Sequence, residues 1–280
     1  MRAEWRYRCP RQARKIRARA GRGPGRGPRW PRPRPVNLLG VRNIRVIEPV
    51  RPARTGHQDG LAYALWLPDG AEPPKAGVLV LHGAGSQKES HFDFARAALA
   101  VGLGVLTFDQ RGHGESRGQL DGRAVADVVA MAAVLREALV PPGAVALRGS
   151  SMGGYLAILA AAEARAGAVV AICPASAGGL RRGLEKGAFS FDADRPALEA
   201  LLDHSELEPA VAALSAPLLL LHAQGDEQVP VQQSRELAAA CRAPGSRLIE
   251  VPGGHHRSVQ HDEELQAVSL RFVTRALGVR

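Results

Sequence analysis

A serine flanked by glycines lies between an apolar segment and a helix-like segment near the middle of the chain. The stretch Gly149-Ser-Ser-Met-Gly153 follows an apolar run at residues 144–147 and precedes an Ala- and Leu-rich pattern at residues 155–164. A nucleophilic serine at the apex of a strained strand-to-helix turn needs small neighbours on both sides. Ser151 has a glycine two residues away on each side, so we expect it to be a nucleophile. Ser150 is expected to point elsewhere, and its replacement by alanine to leave most activity in place. A Gly-rich turn without chemistry is the alternative for this pentapeptide taken alone.

Asp226 is the candidate acid that would orient a catalytic base. A serine hydroxyl is a poor nucleophile at neutral pH and needs a base that is itself held by a carboxylate. Asp226 follows the apolar run of residues 217–221 by a few positions, on a predicted loop. Glu227 is the alternative carboxylate. Asp226 could also serve only as the cap of the helix predicted after it.

Two adjacent histidines follow the last predicted strand, and one of them is the candidate base. The Gly-x-x-His spacing and the trailing Arg-Ser favour His256. His255 would then face solvent or pack within the loop. His261, at the start of the closing helix, is a further candidate. A base at His256 would complete a Ser-His-Asp set with Ser151 and Asp226.

Two backbone amides are candidates for binding an oxyanion, which needs two preorganised N–H donors. One is the amide of Met152, the residue after the serine, at the start of a helix whose dipole favours negative charge. The other is the amide of Ala84, in the Gly-rich loop of residues 82–86 that follows an apolar strand. Glycines in that loop let the backbone approach a substrate carbonyl closely.

Predicted strands and helices alternate along the chain and would position these residues. Strands are predicted at residues 41–50, 61–67, 76–81, 104–108, 144–147, 168–173, 217–221 and 247–251. Helices are predicted at residues 92–100, 125–139, 155–164, 234–241 and 263–277. Such alternation implies an α/β fold with a mostly parallel central sheet of about eight strands and helices on both faces. The first two strands should form an antiparallel meander.

One segment, residues 175–213, interrupts the alternation and is too long for a bare loop. We interpret it as a small inserted cap, with short helices at residues 196–202 and 207–214. We expect residues 41–280 to form the folded domain that contains the cap.

The first 40 residues form a separate basic extension in this prediction. Twelve Arg and one Lys oppose a single Glu in residues 1–35, a charge of +12, so the rest of the chain sums to about −2. The Arg, Pro and Gly content predicts disorder. A tail that binds nucleic acid or an anionic membrane, a targeting peptide and a non-native extension are the three interpretations of this segment. The folded domain is not expected to bind nucleic acid.

Three cysteines without metal-type spacing predict a reducing, cytoplasmic location and no disulfide framework. Cys173, at the end of its strand, is interpreted as a core residue. No apolar run approaches the roughly 20 residues of a membrane span.

Five motifs in order give the chain its resemblance to a known family. They are His82-Gly-Ala-Gly85, Asp109 to Ser116, Gly149 to Gly153, Gly225-Asp226 with Val229-Pro230, and Gly253 to His256. With these motifs the chain resembles members of the α/β-hydrolase superfamily, in the branch of serine aminopeptidase-like and monoacylglycerol-lipase-like proteins. The resemblance implies the α/β-hydrolase fold and the order serine, acid, histidine. It also implies that the loop of Asp109 and His113 is structural, so neither residue is assigned a catalytic role.

The residues and the resemblance together imply two-step acyl transfer to water. Ser151 would attack, His256 would accept and return the proton, Asp226 would hold the imidazole, and the Ala84 and Met152 amides would bind the oxyanion. The expected substrate is a small-molecule carboxylic ester with a small or medium acyl chain, because the cap is short. No metal or cofactor is needed. Aminopeptidase or amidase activity and a non-catalytic binding role are the alternatives; the oligomeric state is left open.

Overall fold

The computed structural model describes residues 48–70 and 72–279. The basic extension predicted at residues 1–40 therefore lies outside the described residues. So do residues 41–47 of the first predicted strand.

The described chain is built on one sheet of eight strands in the order β1-β2-β4-β3-β5-β6-β7-β8. The strands are β1 Arg54–Gln58, β2 Leu61–Trp66, β3 Ala76–Leu81, β4 Gly104–Phe108, β5 Ala144–Ser150, β6 Ala168–Ile172, β7 Leu218–Ala223 and β8 Arg247–Val251. The strands from β4 to β8 pair in parallel, whereas β1 with β2 and β2 with β4 are antiparallel. The predicted mostly parallel sheet is confirmed.

Helices cover both faces of the sheet. The helices of the sheet layers are α1 Phe92–Leu99, α2 Ala124–Glu137, α3 Met152–Ala160, α7 Val231–Ala240, α8 Ser258–His261 and α9 Glu263–Ala276. One apolar core lies between the sheet and α2, α3 and α7, and the other lies between the sheet and α1, α8 and α9. Continuous apolar runs such as β3 and β7 are buried along their whole length, as strands covered on both faces must be. No helix among the described residues is long and apolar enough to cross a membrane.

The first strand differs from its prediction. Residues 48–50, the described part of the predicted strand at 41–50, are not in a strand, and β1 begins at Arg54. The β1 sequence is polar and mostly exposed, and it pairs with β2 alone, at the edge of the sheet. An edge strand has little apolar surface to bury, so hydrophobic patterning did not reveal it.

Three helices occupy the insertion between β6 and β7 and form the small cap. They are α4 Ala177–Glu185, α5 Arg195–Asp203 and α6 Leu207–Ala212. The latter two were expected, but α4 was not, because three of its nine residues are glycines of low helix propensity. Its buried Leu180 and Leu184 and the capping hydroxyl of Ser176, which accepts from the Gly179 amide, stabilise it instead.

Candidate active site

Ser151 lies at the turn between β5 and α3 in a backbone conformation that non-glycine residues rarely adopt. Its φ is 53° and its ψ is −118°. Such a conformation costs on the order of 1–3 kcal/mol and persists only where surrounding contacts hold it. Here the Ser151 amide donates to the carbonyl of Ile172 at 2.9 Å, and the Ser151 carbonyl accepts from the amides of Tyr155 and Ala175 at 3.0 Å each. The strained turn projects Ser151 beyond the carboxyl end of β5.

The two glycines around Ser151 are required by close backbone packing. A Cβ on Gly149 would overlap the carbonyl of Gly153, and a Cβ on Gly153 would overlap the carbonyl of Leu81 in β3. The start of α3 therefore rests directly on β3 and β5. These overlaps explain why the residues two positions before and after Ser151 must be small, as the sequence pattern indicated.

The carboxylate of Asp226 is buried on the loop after β7. Its two oxygens have different hydrogen-bond partners. Oδ1 accepts from the amides of Gln228 and Val229 at 2.8 and 2.9 Å. Oδ2 lies 2.6 Å from Nδ1 of His256. The alternative carboxylate, Glu227, is exposed and pairs with no described cation. The geometry thus brings Asp226, rather than Glu227, to the histidine.

His222, on β7, is a buried histidine that contacts Asp226, and the sequence patterns did not predict this role. Its Nε2 lies 2.9 Å from the carbonyl of Val229, which can only accept, so Nε2 carries a proton. Its Nδ1 lies 2.7 Å from the hydroxyl of Ser234, and its Nε2 lies 3.5 Å from Oδ2 of Asp226. A histidine in the run Leu-Leu-Leu-Leu-His, four positions before Asp226, was the available signal.

The pKa of Asp226 is held well below its ordinary value. Burial acts to raise this pKa, but hydrogen bonds from His222, His256 and the Val229 amide outweigh burial. The carboxylate is therefore ionised at every pH at which the protein would work. An ionised carboxylate stabilises the imidazolium that forms when a catalytic histidine accepts a proton.

Cys173, His222 and Asp226 place three potential metal ligands within 4.8 Å of one another. Their chemistry does not fit a metal ion. Burial raises the pKa of the Cys173 thiol to about 12, which disfavours the thiolate that a metal requires. Both ring nitrogens of His222 are already engaged. Cys173 and His222 pack against the Asp226 carboxylate instead.

His256 lies on the loop between β8 and α8, with its ring nearly buried. Gly253 and Gly254, which precede it in this loop, adopt left-handed conformations with φ of 68° and 72°. Since Nδ1 faces Asp226, Nε2 is the nitrogen left for the cavity that His256 shares with Ser151. Within the described residues the Ser151 hydroxyl forms no hydrogen bond to His256. Such catalytic bonds often tighten only once substrate is bound.

The other two candidate histidines are placed differently. His255 is exposed and its backbone forms the turn to Ser258. His261 reaches the same cavity as His256, but its Nδ1 pairs with Asp93 at 2.9 Å on the surface. Neither contacts Asp226.

The backbone amides of Ala84 and Met152 are the candidate oxyanion donors. Gly83 and Ala84 line the same cavity as Ser151, and Met152 begins α3. Neither the Ala84 amide nor the Met152 amide donates to an acceptor in the part of the chain that the structure describes. Two free N–H groups beside a serine are the arrangement that an oxyanion requires.

Two buried histidines hold the loop that carries Ala84. The ring of His82 donates to the carbonyl of Gly83 at 2.8 Å and accepts from the Gln110 amide at 3.0 Å. The ring of His113 accepts from the Gly85 amide at 3.1 Å. Burial, followed by the charge of His113, lowers the pKa of His82 to about 4, so its ring is neutral and can accept. Both residues therefore position the loop and do not face the reacting atoms.

Two adjoining cavities meet at Ser151. One, of about 370 Å³, is lined by His256 and the Ala84 loop. The other, of about 520 Å³, lies beneath cap helix α4 and is lined by Leu180, Val229 and Pro230 among others. Ser151 and Phe189 border both cavities, so a bound molecule can extend to either side of the serine.

Comparisons with known proteins match this architecture. A sequence profile described as "Serine aminopeptidase, S33" matches residues 72–191. An uncharacterized protein of Mycobacterium tuberculosis is 30% identical over 205 residues, which cover 71% of this chain and 69% of that protein. Human monoglyceride lipase is 38% identical over 104 residues, 35% of this chain and 33% of the lipase.

Among solved structures, Paleococcus ferrophilus monoacylglycerol lipase superimposes with a TM-score of 0.60 at 20% identity. The match covers 79% of this chain and 99% of that chain. At this identity the likeness shows the shared fold. The profile match ends before Asp226 and His256, so their assignment depends on the geometry above.

Proposed function

Because the chain belongs to the α/β-hydrolase superfamily, in its monoacylglycerol-lipase-like branch, we propose that it is a serine-dependent hydrolase of carboxylic esters. The observation that carries this proposal is the 2.6 Å contact between Asp226 and His256, whose ring borders the cavity of Ser151. The free amides of Ala84 and Met152 beside Ser151 support it. The similarity over 104 residues to human monoglyceride lipase supports ester hydrolysis as the reaction class.

In this mechanism the hydroxyl of Ser151 attacks the ester carbonyl while His256 Nε2 takes its proton. The ionised Asp226 stabilises the imidazolium and fixes the ring so that Nε2 faces the serine. The Ala84 and Met152 amides receive the negative charge that develops on the carbonyl oxygen. His256 then returns the proton to the leaving alcohol, and an acyl group remains on Ser151.

Water completes the reaction by the same route. His256 removes a proton from water, the resulting hydroxide attacks the acyl-enzyme, and Ser151 leaves as the free hydroxyl with the proton from His256. The cavity of about 520 Å³ beneath α4 suits a small or medium acyl chain. The free thiols of Cys173 and Cys241 fit the reducing, cytoplasmic location proposed for the protein.

Peptide cleavage from a free amino terminus is less well supported. An aminopeptidase needs an acidic side chain to receive the substrate ammonium group. No Asp or Glu lines either cavity beside Ser151 in the described chain. The ester reaction therefore takes precedence over the aminopeptidase alternative.

Covalent labelling with a fluorophosphonate tests the proposal directly. The wild-type protein should be labelled at Ser151, and Ser151→Ala should abolish both labelling and hydrolysis of p-nitrophenyl esters. Ser90→Ala, which changes another hydroxyl on the same cavity, is the matched control and should keep both. A folded wild-type protein that is not labelled would support the non-catalytic alternative.

A further inference from the structure

The cavities on both sides of Ser151 are lined by positive side chains and by no negative ones among the described residues. Arg182 and Lys186 border the cavity beneath α4, and Arg257 borders the one that contains His256. None of the three forms an ion pair with a described residue, whereas Arg181, beside Arg182, pairs with Asp203. This local excess of positive charge contrasts with the net charge of residues 36–280, which is about −2.

The geometry of α4 explains why its cations border the cavity. Residues 179, 182, 183 and 186 share one helix face by their spacing of three and four, and all four border the cavity. Two of them are glycines, so Arg182 and Lys186 are the side chains that this face projects. The opposite face buries Leu184 in the core. Arg182 of α4 and its C-cap residue Lys186 thus present two cations to the cavity, with Phe189 packed against Gly183.

The proposed mechanism decides which part of an ester meets these cations. His256 must protonate the leaving alcohol, so the alcohol lies in the cavity that His256 borders. The acyl chain then extends into the other cavity, beneath α4, whose wall near Ser151 is apolar through Ala175, Leu180 and Val229. An acyl chain therefore runs from an apolar region at Ser151 toward Arg182 and Lys186.

We propose that the preferred substrates are esters whose acyl chain ends in an anionic group, a carboxylate or a phosphate. This inference rests on the proposed ester hydrolysis and adds the class of acyl group. A cation beside a partly exposed anion contributes modestly, by about threefold in affinity for each pair. Positive potential at the entrance also raises the rate of association with anions at low salt.

Matched chromogenic esters test this inference. The p-nitrophenyl esters of hexanoate, octanoate and decanoate are compared with the mono-p-nitrophenyl esters of adipate, suberate and sebacate, which have equal chain lengths and a terminal carboxylate. We expect kcat/KM to favour the carboxylate ester by about tenfold for at least one length at low salt. Added NaCl should reduce this preference and leave the neutral esters nearly unchanged.

The double variant Arg182→Gln/Lys186→Gln should lose about tenfold in kcat/KM on the favoured carboxylate ester and keep the neutral rate within about twofold. Arg275→Gln, which removes an exposed charge from α9 away from both cavities, should change neither rate. A preference for neutral esters at every length, or an equal loss on both ester types in the double variant, would overturn the inference while the hydrolase proposal stands. If wild type hydrolyses none of the six esters, the proposed function fails and the inference fails with it.

Discussion

The hydroxyl of Ser150 donates a 2.6 Å hydrogen bond to Oε1 of Gln260, and this buried contact joins β5 to α8. Ser150 directly precedes Ser151, and Gln260 follows His256 by four residues. Arg148, also on β5, donates to the backbone carbonyl of Gln260 at 3.0 Å. The strand that carries the serine and the segment that carries the histidine are therefore tied together at one glutamine.

Loss of this contact should lower kcat, whereas the sequence alone predicts that Ser150→Ala leaves most activity in place. Gln260→Met removes the acceptor and leaves the Ser150 hydroxyl unpaired. The distance between Ser151 and His256 is then held less tightly. We expect kcat to fall about tenfold with KM nearly unchanged, because small misplacements of reacting groups are costly. Steady-state kinetics and the pH dependence of kcat/KM measure the effect.

The matched control for Gln260→Met is Gln232→Met on the exposed face of α7, which should retain wild-type kinetics. Unchanged kcat and an unchanged pH profile in both Ser150→Ala and Gln260→Met would show that the contact does not position the histidine.

Replacement of His222 should affect both stability and activity. His222→Leu leaves the Val229 carbonyl and the Ser234 hydroxyl unpaired in the core and removes a polar partner of Asp226. Each unpaired buried group costs about 1–3 kcal/mol, so the free energy of unfolding should fall by at least about 2 kcal/mol. Urea denaturation measures it, and kcat should fall as Asp226 loses its support. His255→Leu, at an exposed position, should change little; a His222→Leu protein as stable as this control would contradict the prediction.

Gly153→Ala should destabilise the protein strongly. The added methyl group would overlap the backbone carbonyl of Leu81, which cannot move without displacing β3. We expect a loss of about 3 kcal/mol or more in the free energy of unfolding, or failure to fold. Gly122→Ala is the control, because its methyl group would meet the Ala197 carbonyl at an ordinary distance of 3.6 Å. Equal urea midpoints for the two variants would refute the steric role of Gly153.

Acidification should destabilise the fold between about pH 6.5 and pH 4 because His82 is buried in its neutral form. Its pKa is lowered to about 4 in the folded protein, so the unfolded chain binds a proton first as pH falls. Stability from this group is complete above the unfolded pKa and declines toward pH 4, by on the order of 3 kcal/mol in all. His82→Gln keeps a donor and an acceptor without titrating, so its urea midpoint should depend less on pH over this window. Parallel pH curves for wild type and variant would contradict this assignment.

Removal of residues 1–40 should leave ester hydrolysis intact. Every residue proposed for the reaction lies between Ala84 and His256, whereas residues 1–35 carry a charge of +12. Any affinity of the full chain for nucleic acid or anionic vesicles should disappear with the deletion, because the remainder sums to about −2. Binding assays at several salt concentrations, run beside the esterase assay, separate the two properties. Loss of hydrolysis on deletion would show that the extension contributes to the enzyme.

The sequence by itself determined the elements whose signal is local. Buried parallel strands need continuous apolar runs, and a strained turn beside close backbones needs glycine, so the sheet and the turn at Ser151 could be predicted. The edge strand β1 and the glycine-rich α4 could not, because their stability comes from a neighbouring strand and from packed leucines rather than from their own composition.

The tertiary structure alone decided which side chains meet. Asp226 and His256 are 30 residues apart, and Ser150 and Gln260 are 110 apart. Contacts across such distances depend on how the strands order in the sheet, which no local pattern encodes. The same folding places His222 against Asp226 and brings Arg182 of α4 and its C-cap residue Lys186 to the cavity at Ser151. The candidate catalytic residues could thus be predicted from their motifs, whereas the residues that position them could be identified only from the tertiary structure.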